Sequence, residues 1–489
     1  MLNCQSKLNR LVLVIGAILN ISSQTKFGCL MILFPLLHGC IASGSYQAPA
    51  AKISTQWNSS PDPTSNSVEL TQFWQSFHDI ALTQLIRTTL ENNQSLVTAL
   101  ANIDAARANL TTQRASLYPT LSGNGSVDRV KDASGQSNQN SIGLDASWEI
   151  DLWGKYRNQS DAAVARLQAR TADMLSMQIS LAAEMADYYT QYLACRSIQR
   201  VYATELSSIQ KTEKATSLLV KAGFTAPMDH ALIVANLENT RSNSIDQNKQ
   251  CEILIKSMTA LASIDESELR QILAQSSLKF PLQHGSFGVS EVPADVMRNR
   301  PDIAALEREV FATYAEIKSA EADRYPNLSL SGVINAASSG GASLNTWSIG
   351  ANLLQPIFDA GKRKATVESN IAKYNAAVAD YQSGVINAAA EIEKQLVTIQ
   401  ALKKQEKSAQ SSYVQYQKYF NALEISQKAG STNLLDLEAA RRSALNAQIS
   451  VVNIQQQHTQ SWISLYKALG GTFTPSQTSV HIAQNGEIQ

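Results

Sequence analysis

The chain carries no charge surplus of either sign. Lys plus Arg is 41 and Asp plus Glu is 41, so 41 − 41 = 0, and with no basic excess to neutralise phosphates a nucleic-acid partner is excluded. Aromatic residues are scarce at 7% and charged residues at 17%, while Ala, Ser, Gln and Asn are abundant. A chain of 489 residues would ordinarily divide into domains of about 150 residues each. Weakly apolar helix formers with few bulky core residues point instead to long, thin elements packed side by side. Long apolar runs are also missing. Beyond position 40 nothing approaches the roughly 18–20 apolar residues of a spanning helix. Such a chain can cross a membrane only as β-strands closed into a barrel.

The first forty residues differ from the rest. Lys7 and Arg10 precede one apolar run, 11–19, and Lys26 precedes a second, 27–37. A charged start followed by a short apolar core marks an export signal, 1–39. Leu37-His38-Gly39-Cys40 resembles a lipobox, in which Cys40 becomes the acylated first residue; the competing reading is an ordinary cleaved signal. Cleavage there removes three basic residues, leaving 38 − 41 = −3. Of five cysteines, only Cys195 and Cys251 lie beyond that point. Two packed thiols are expected, with a single bridge left open.

A repeat runs through the rest. Tyr118-Pro119 reappears as Tyr325-Pro326, and 325 − 118 = 207. Ser141-Ile142-Gly143 matches Ser348-Ile349-Gly350, Gly154-Lys155 matches Gly361-Lys362, and Lys221-Ala222-Gly223 matches Lys428-Ala429-Gly430, all at the same offset. The chain is an internal duplication. Its predicted segments are 40–80, a first repeat 81–263, a linker 264–300, a second repeat 301–471 and a tail 472–489.

Each copy has the same order of elements. A helix, 81–117 or 302–324, is stopped by Pro119 or Pro326. Two strands with apolar–polar alternation follow, 121–130 and 141–151 in the first copy, separated by the polar stretch 131–140. Next come the stretches 155–221 and 362–428, each 67 residues and about 100 Å long as helices. The seam expected on the first runs through Val164, Leu167, Thr171, Met174, Gln178, Leu181, Met185, Tyr188 and Tyr192. Gly223 and Gly430 turn each long helix into a return helix, 229–263 or 433–469. In each copy two shorter helices should stack end to end beside the long one.

Four strands cannot close a membrane barrel, and an open edge in lipid leaves backbone groups unsatisfied. Two chains would give about 8 strands, filled by their own side chains, so a conducting tube favours three chains and about 12 strands. Tyr118, Tyr325, Trp148, Trp153 and Phe358 fall at strand ends, as an interfacial belt would. Asp79, Asp302 and Asp359 fit helix caps better than catalysis. His78, His230, His284, His458 and His481 are scattered, and no metal-spaced or nucleophile motif is present.

Several motifs make the resemblance specific. They are Trp74-Gln75-Ser76-Phe77-His78-Asp79, Trp148-Glu149-Ile150-Asp151-Leu152-Trp153-Gly154-Lys155 and Val292-Pro293-Ala294-Asp295. Arg300-Pro301-Asp302-Ile303, Phe358-Asp359-Ala360-Gly361-Lys362-Arg363 and Leu465-Tyr466-Lys467-Ala468-Leu469-Gly470-Gly471 complete the set. Together they resemble the TolC superfamily of outer-membrane factors, in particular its lipoprotein branch of OprM- and NodT-like efflux channels. The resemblance implies an α+β membrane channel: a homotrimer with a 12-stranded β-barrel, a periplasmic α-helical barrel and an equatorial collar. It implies no enzyme activity and no cofactor, with outer-membrane lipid, a periplasmic adaptor and an inner-membrane pump as partners. The implied function is export of small molecules such as drugs; the alternative is the outer-membrane channel of a type I protein secretion system. A pore-less surface coiled coil is disfavoured by the strand pairs.

The resemblance also places a gate just after the second tip glycine. Leu435 falls on its leucine ring, and Asp436 and Glu438 are the carboxylates available, since the usual acidic position holds Ala439. Gly223, Thr225, Gly430 and Thr432 fall on the helix-tip turns that would meet an adaptor. The competing reading makes Leu435 part of a coiled-coil seam and Asp436 part of a solvated face.

Overall fold

The computed structural model describes residues 73–132, 135–276, 293–339 and 342–471, with positions 46, 49, 50, 54, 56–59 and 280 besides. Cys40, the export signal and the tail 472–489 lie outside the described residues. Contacts divide the chain into a short unit, 1–47, and the body, 48–489.

A short 3-10 turn, Trp74–Phe77, leads into α1 (Ile80–Asn92), which Asp79 caps by accepting from Leu82 N at 3.0 Å. The expected single helix 81–117 is two helices. Asn93 leaves the helical region at φ −65° and ψ 125°, ends α1 and caps α2 (Gln94–Ala115) through Ser95 N at 2.8 Å. Its amide also donates to Leu261 O at 2.8 Å. A buried side chain with two such partners outweighs helix propensity locally.

After Pro119 come β1 (Thr120–Asp132) and β2 (Gly135–Ile150), so most of the stretch 131–140 is strand and not connector. The long helix α3 spans Lys155–Lys221 and the return helix α4 spans Pro227–Ala262. Three shorter helices follow: α5 (Glu266–Ala274), α6 (Pro293–Asn299) and α7 (Pro301–Ala322). The second copy completes with β3 (Asn327–Ser339), β4 (Ala342–Leu354), α8 (Lys362–Lys428) and α9 (Leu434–Ala468). Both long helices have the expected 67 residues. None of the described helices is long and apolar enough to cross a membrane.

The strands form one antiparallel sheet in the order β1-β2-β3-β4. Its register sets Leu121 beside Ala146, Ala146 beside Gly332, and Gly332 beside Ile349. One face therefore collects Leu121, Val127, Ile142, Leu144, Ile334 and Ile349. The other collects Ser122, Asp145, Ser147, Ser331, Ser348 and Asn352, because alternate residues point to opposite sides. The apolar face is bare within the chain: Ile142 is 70% exposed and Ile349 80%.

The helices pack around α3, which touches α1, α2, α4, α7 and α9, whereas α8 touches α6, α7 and α9. The seam on α3 follows the expected one at Leu181, Met185 and Tyr192, which are buried, but is displaced over the helix's first part. Val164, Leu167, Thr171, Met174 and Gln178 are only half-buried, while Ala162, Ala165 and Ala169 are buried. Ala162 and Ala165 form a cluster with Ala312 and Ala315 of α7. Alanine lets two helix axes approach closely, a geometric preference that hydrophobicity alone does not display. The main core is aromatic. Phe73 stacks on Tyr466 with ring centroids 4.7 Å apart, and the Tyr189 hydroxyl donates to Asp79 Oδ2 at 2.9 Å.

Cys195 of α3 and Cys251 of α4 are joined by a disulfide, which corrects the expectation of two separate thiols. Both are buried inside the helix pair. Their shared depth along an antiparallel hairpin was not read from their spacing.

Candidate functional site

The site is the far end of the two helical hairpins, and glycine makes each turn there. Gly223 and Gly430 sit at φ +78° and +74°, which other residues rarely adopt. Each turn closes with the same pair of backbone bonds. Phe224 N donates to Leu219 O at 2.9 Å and Ser431 N to Ser426 O at 3.0 Å, as a helix-ending Schellman turn requires. Thr225 is half-buried, and Thr432 shares a 2.7 Å hydroxyl bond with Ser426.

Past the second turn, Asn433 caps α9 by accepting from Asp436 N at 2.8 Å. The helix then splits by phase. Leu437, Glu438 and Arg441 are buried, and Leu434 packs against the cluster of Ile209, Ile233 and Leu237. Positions i, i+3, i+4 and i+7 fall on one side of a helix. Leu435, Asp436 and Ala439 lie on the exposed side, with Leu435 60% exposed. Leu435 and Asp436 are thus exposed within the single chain. Glu438 is not: its side chain is 2% exposed and ion-paired with Arg441 inside the protomer, so it is withdrawn as a gate carboxylate.

The partners of Glu438 had no place in the sequence reading. Arg441 Nη2 donates to Thr212 Oγ1 of α3 at 2.9 Å, and its guanidinium lies 5.5 Å from the Phe420 ring centroid on α8. Glu205 of α3 has Oε1 3.7 Å from Arg441 Nε. Burial pushes the Glu205 carboxyl up to about 7 against the pull of Arg441, and Glu438 also rises through burial. The spacing of Leu434, Leu437, Glu438 and Arg441 was the available signal, since a charged pair on an apolar stripe announces a buried ion pair.

At the opposite end, strands pass into helices through two matching junctions. Asp151 accepts from Tyr156 N at 3.2 Å and Arg157 N at 2.9 Å. Asp359 accepts from Gly361 N at 3.0 Å and Arg363 N at 3.2 Å, as expected of a cap. Asp323 joins the copies, bound by Lys155 at 2.6 Å and Arg363 at 3.1 Å. Of the expected aromatic belt, Trp148 donates to Leu117 O at 3.0 Å and Trp153 to Pro326 O at 2.7 Å, while Phe358 is 89% exposed.

A second cluster gathers the remaining motifs. Arg300 makes two bonds to Asp302, at 3.0 and 2.8 Å, and also donates to Ala468 O. Asp302 therefore orients Arg300 besides accepting from Ile303 N at 2.9 Å at the start of α7. A Cβ on Gly470 would stand 3.0 Å from Arg300 Cα, and one on Gly471 2.9 Å from the Tyr466 ring. These motifs are a structural clasp on the middle of the helical body.

An antiparallel sheet with one apolar and one polar face, continued by helix pairs about 100 Å long, defines a membrane channel protomer. The chain belongs to the Outer membrane efflux protein family, whose profile matches residues 85–279 and 292–471. It is 28% identical over 464 residues to the toluene efflux pump outer membrane protein TtgI of Pseudomonas putida, covering 90% of this chain and 97% of that one. Nodulation protein T of Rhizobium leguminosarum bv. viciae is 28% identical over 478 residues, covering 93% and 96%. The crystal structure of the Campylobacter jejuni CmeC outer membrane channel superposes with a TM-score of 0.79 at 25% identity, covering 90% and 96%. The chain is an outer-membrane efflux component reaching into the periplasm, a transport protein and not an enzyme.

Proposed function

We propose that three copies close a 12-stranded barrel and a helical cylinder, and that this duct exports small molecules. The open sheet carries this reading. Among the described residues β1 and β4 each pair on one side only, and lipid cannot satisfy the free edge of either. Pairing β4 of one copy with β1 of the next removes every edge, and three copies leave a water-filled lumen lined by the polar face. A small-molecule cargo is supported by relatives described as outer membrane proteins of solvent, toluene and antibiotic efflux pumps and of pyoverdine export. The duct works docked on a periplasmic adaptor and an inner-membrane pump, with the Gly223–Thr225 and Gly430–Thr432 turns as the adaptor's contact.

Leu435 and Asp436 form the gate in this reading. Three Leu435 side chains meet as an apolar constriction that resists wetting, and three Asp436 carboxylates beside it attract cations. Leu435→Ala should raise basal conductance in planar bilayers several-fold and admit vancomycin to cells lacking the pump. A Leu435→Ala channel as closed as wild type moves the constriction elsewhere, and a stable monomer by native mass spectrometry overturns the duct.

A further inference from the structure

We propose that Arg441 is a latch: it ties the second-repeat tip to the first-repeat helix α3 through Glu205 and Thr212, and a proton on Glu205 decides how firmly. This rests on the gate reading above, since the latch lies on the helix that carries Leu435.

Position comes first. Thr212 and Arg441 are each eleven residues from their own tip glycine, 223 − 212 and 441 − 430. They therefore meet at one depth, roughly 16 Å behind the turns. No other described ion pair joins α9 to α3 near the tips. The cluster is dry: the side chains of Arg441, Glu438 and Glu205 are 4%, 2% and 13% exposed.

Charge comes second. Two carboxylates share one guanidinium, so the fully ionised cluster buries one surplus negative charge, which costs far more than the same charge in water. Glu438 holds Arg441 by a hydrogen bond. Glu205 stands 3.7 Å away, beyond hydrogen-bond range, and is the carboxylate left to take a proton. The other charged groups nearby are few. Arg442 acts on Glu438 from α9, and from α8 the Phe420 ring lies against Arg441. From α4, His230 is held 3.0 Å from Glu213, 213 − 205 = 8 residues nearer the tip.

The sign follows. In the latched state burial raises Glu205 to about 7, whereas an opened tip would return it to water and to its ordinary value. Latching therefore takes up a proton. Its contribution is complete below the ordinary carboxylate range and is lost as pH rises through about 7. Acidification fastens the tip, and mild alkali loosens it.

The test is basal conductance of assembled wild-type channels in planar bilayers between pH 6 and pH 8. The closed-to-open ratio should fall about tenfold per subunit over that range. Glu205→Gln, which mimics the protonated side chain, should stay closed and lose the pH dependence. If it does not assemble, Glu205→Met should behave the same way. Arg441→Ala should open the channel at both pH values. A flat wild-type profile, or a Glu205→Gln channel with the wild-type slope, overturns the latch. A Leu435→Ala channel that stays closed overturns the gate while leaving the pH profile standing, so the two readings fail separately.

Discussion

The two hairpins share lengths and turns but not surroundings. α3 and α8 each have 67 residues, each start after a glycine of φ +84° or +88°, and each end in a glycine turn. Yet among the described residues α3 packs closely on five helices of its own chain and α8 on three. Ile371, Ile386, Val397, Tyr416 and Tyr419 of α8 remain between 41% and 54% exposed. The disulfide marks the same divide. Adding 207 to 195 and 251 leads to Leu402 and His458. There the second hairpin has a packed leucine and an imidazole held 3.1 Å from Glu406. Duplication kept what sets length and direction, namely the caps and turns. Divergence acted on the side chains that choose a partner, making the first hairpin an internal strut and leaving the second with apolar side chains uncovered within the chain.

The largest effect should come where the copies have not diverged. Ile142 and Ile349 are equivalent and share the bare apolar face of the sheet. Arginine at either position would face lipid near mid-strand, at about 2–4 kcal/mol for each of three subunits. Ile142→Arg and Ile349→Arg should both abolish heat-resistant trimers on gels, to the same extent. Ser348→Arg, on the polar face, should still assemble. A trimer that tolerates Ile349→Arg would place that face away from lipid and undo the symmetry of the strands.

The next effect should separate the hairpins. Closing a separation of 56 residues removes about 4 kcal/mol of chain entropy from the unfolded state on the usual loop model. Cys195→Ser with Cys251→Ser should therefore lower thermal stability and speed amide exchange along α4, 227–262. Exchange along α9, 434–468, should change little. Equal loosening of both hairpins would mean that the bridge stabilises the whole body and not one strut.

What could be read beforehand follows the same physics. Lengths and turns were legible because glycine, proline and capping aspartate act locally. The 67-residue helices, the tips at Gly223 and Gly430 and the cap at Asp79 all stand where the residues alone put them. Asn93 escaped notice because its bond to Leu261 comes from 168 residues away. The buried seam at Ala162 and Ala165 escaped because close packing favours small residues over the apolar ones that stand out. Asp436 and Glu438 looked alike in sequence. Two residues' rotation on a helix, about 200°, places one in solvent and the other in a dry ion pair.

The smallest effect concerns the two tips themselves. Asp229 and Asp436 are equivalent, 436 − 229 = 207; Asp229 is half-buried and Asp436 exposed. Each follows an exposed apolar residue, Met228 at 76% and Leu435 at 60%. Charge does distinguish them. Removing a lumen carboxylate from three subunits deletes three charges at one level of the pore, where low-dielectric walls make them act together. The same deletion on the outer surface is screened by salt within about 8 Å. Asp436→Asn should therefore lower the cation-to-anion permeability ratio by about two- to threefold, read as a shift in reversal potential under a salt gradient. Asp229→Asn should leave that potential where wild type has it, with neither substitution changing trimer stability. If the two exchange results, the first hairpin lines the pore, and the Leu435 constriction must be sought at Met228.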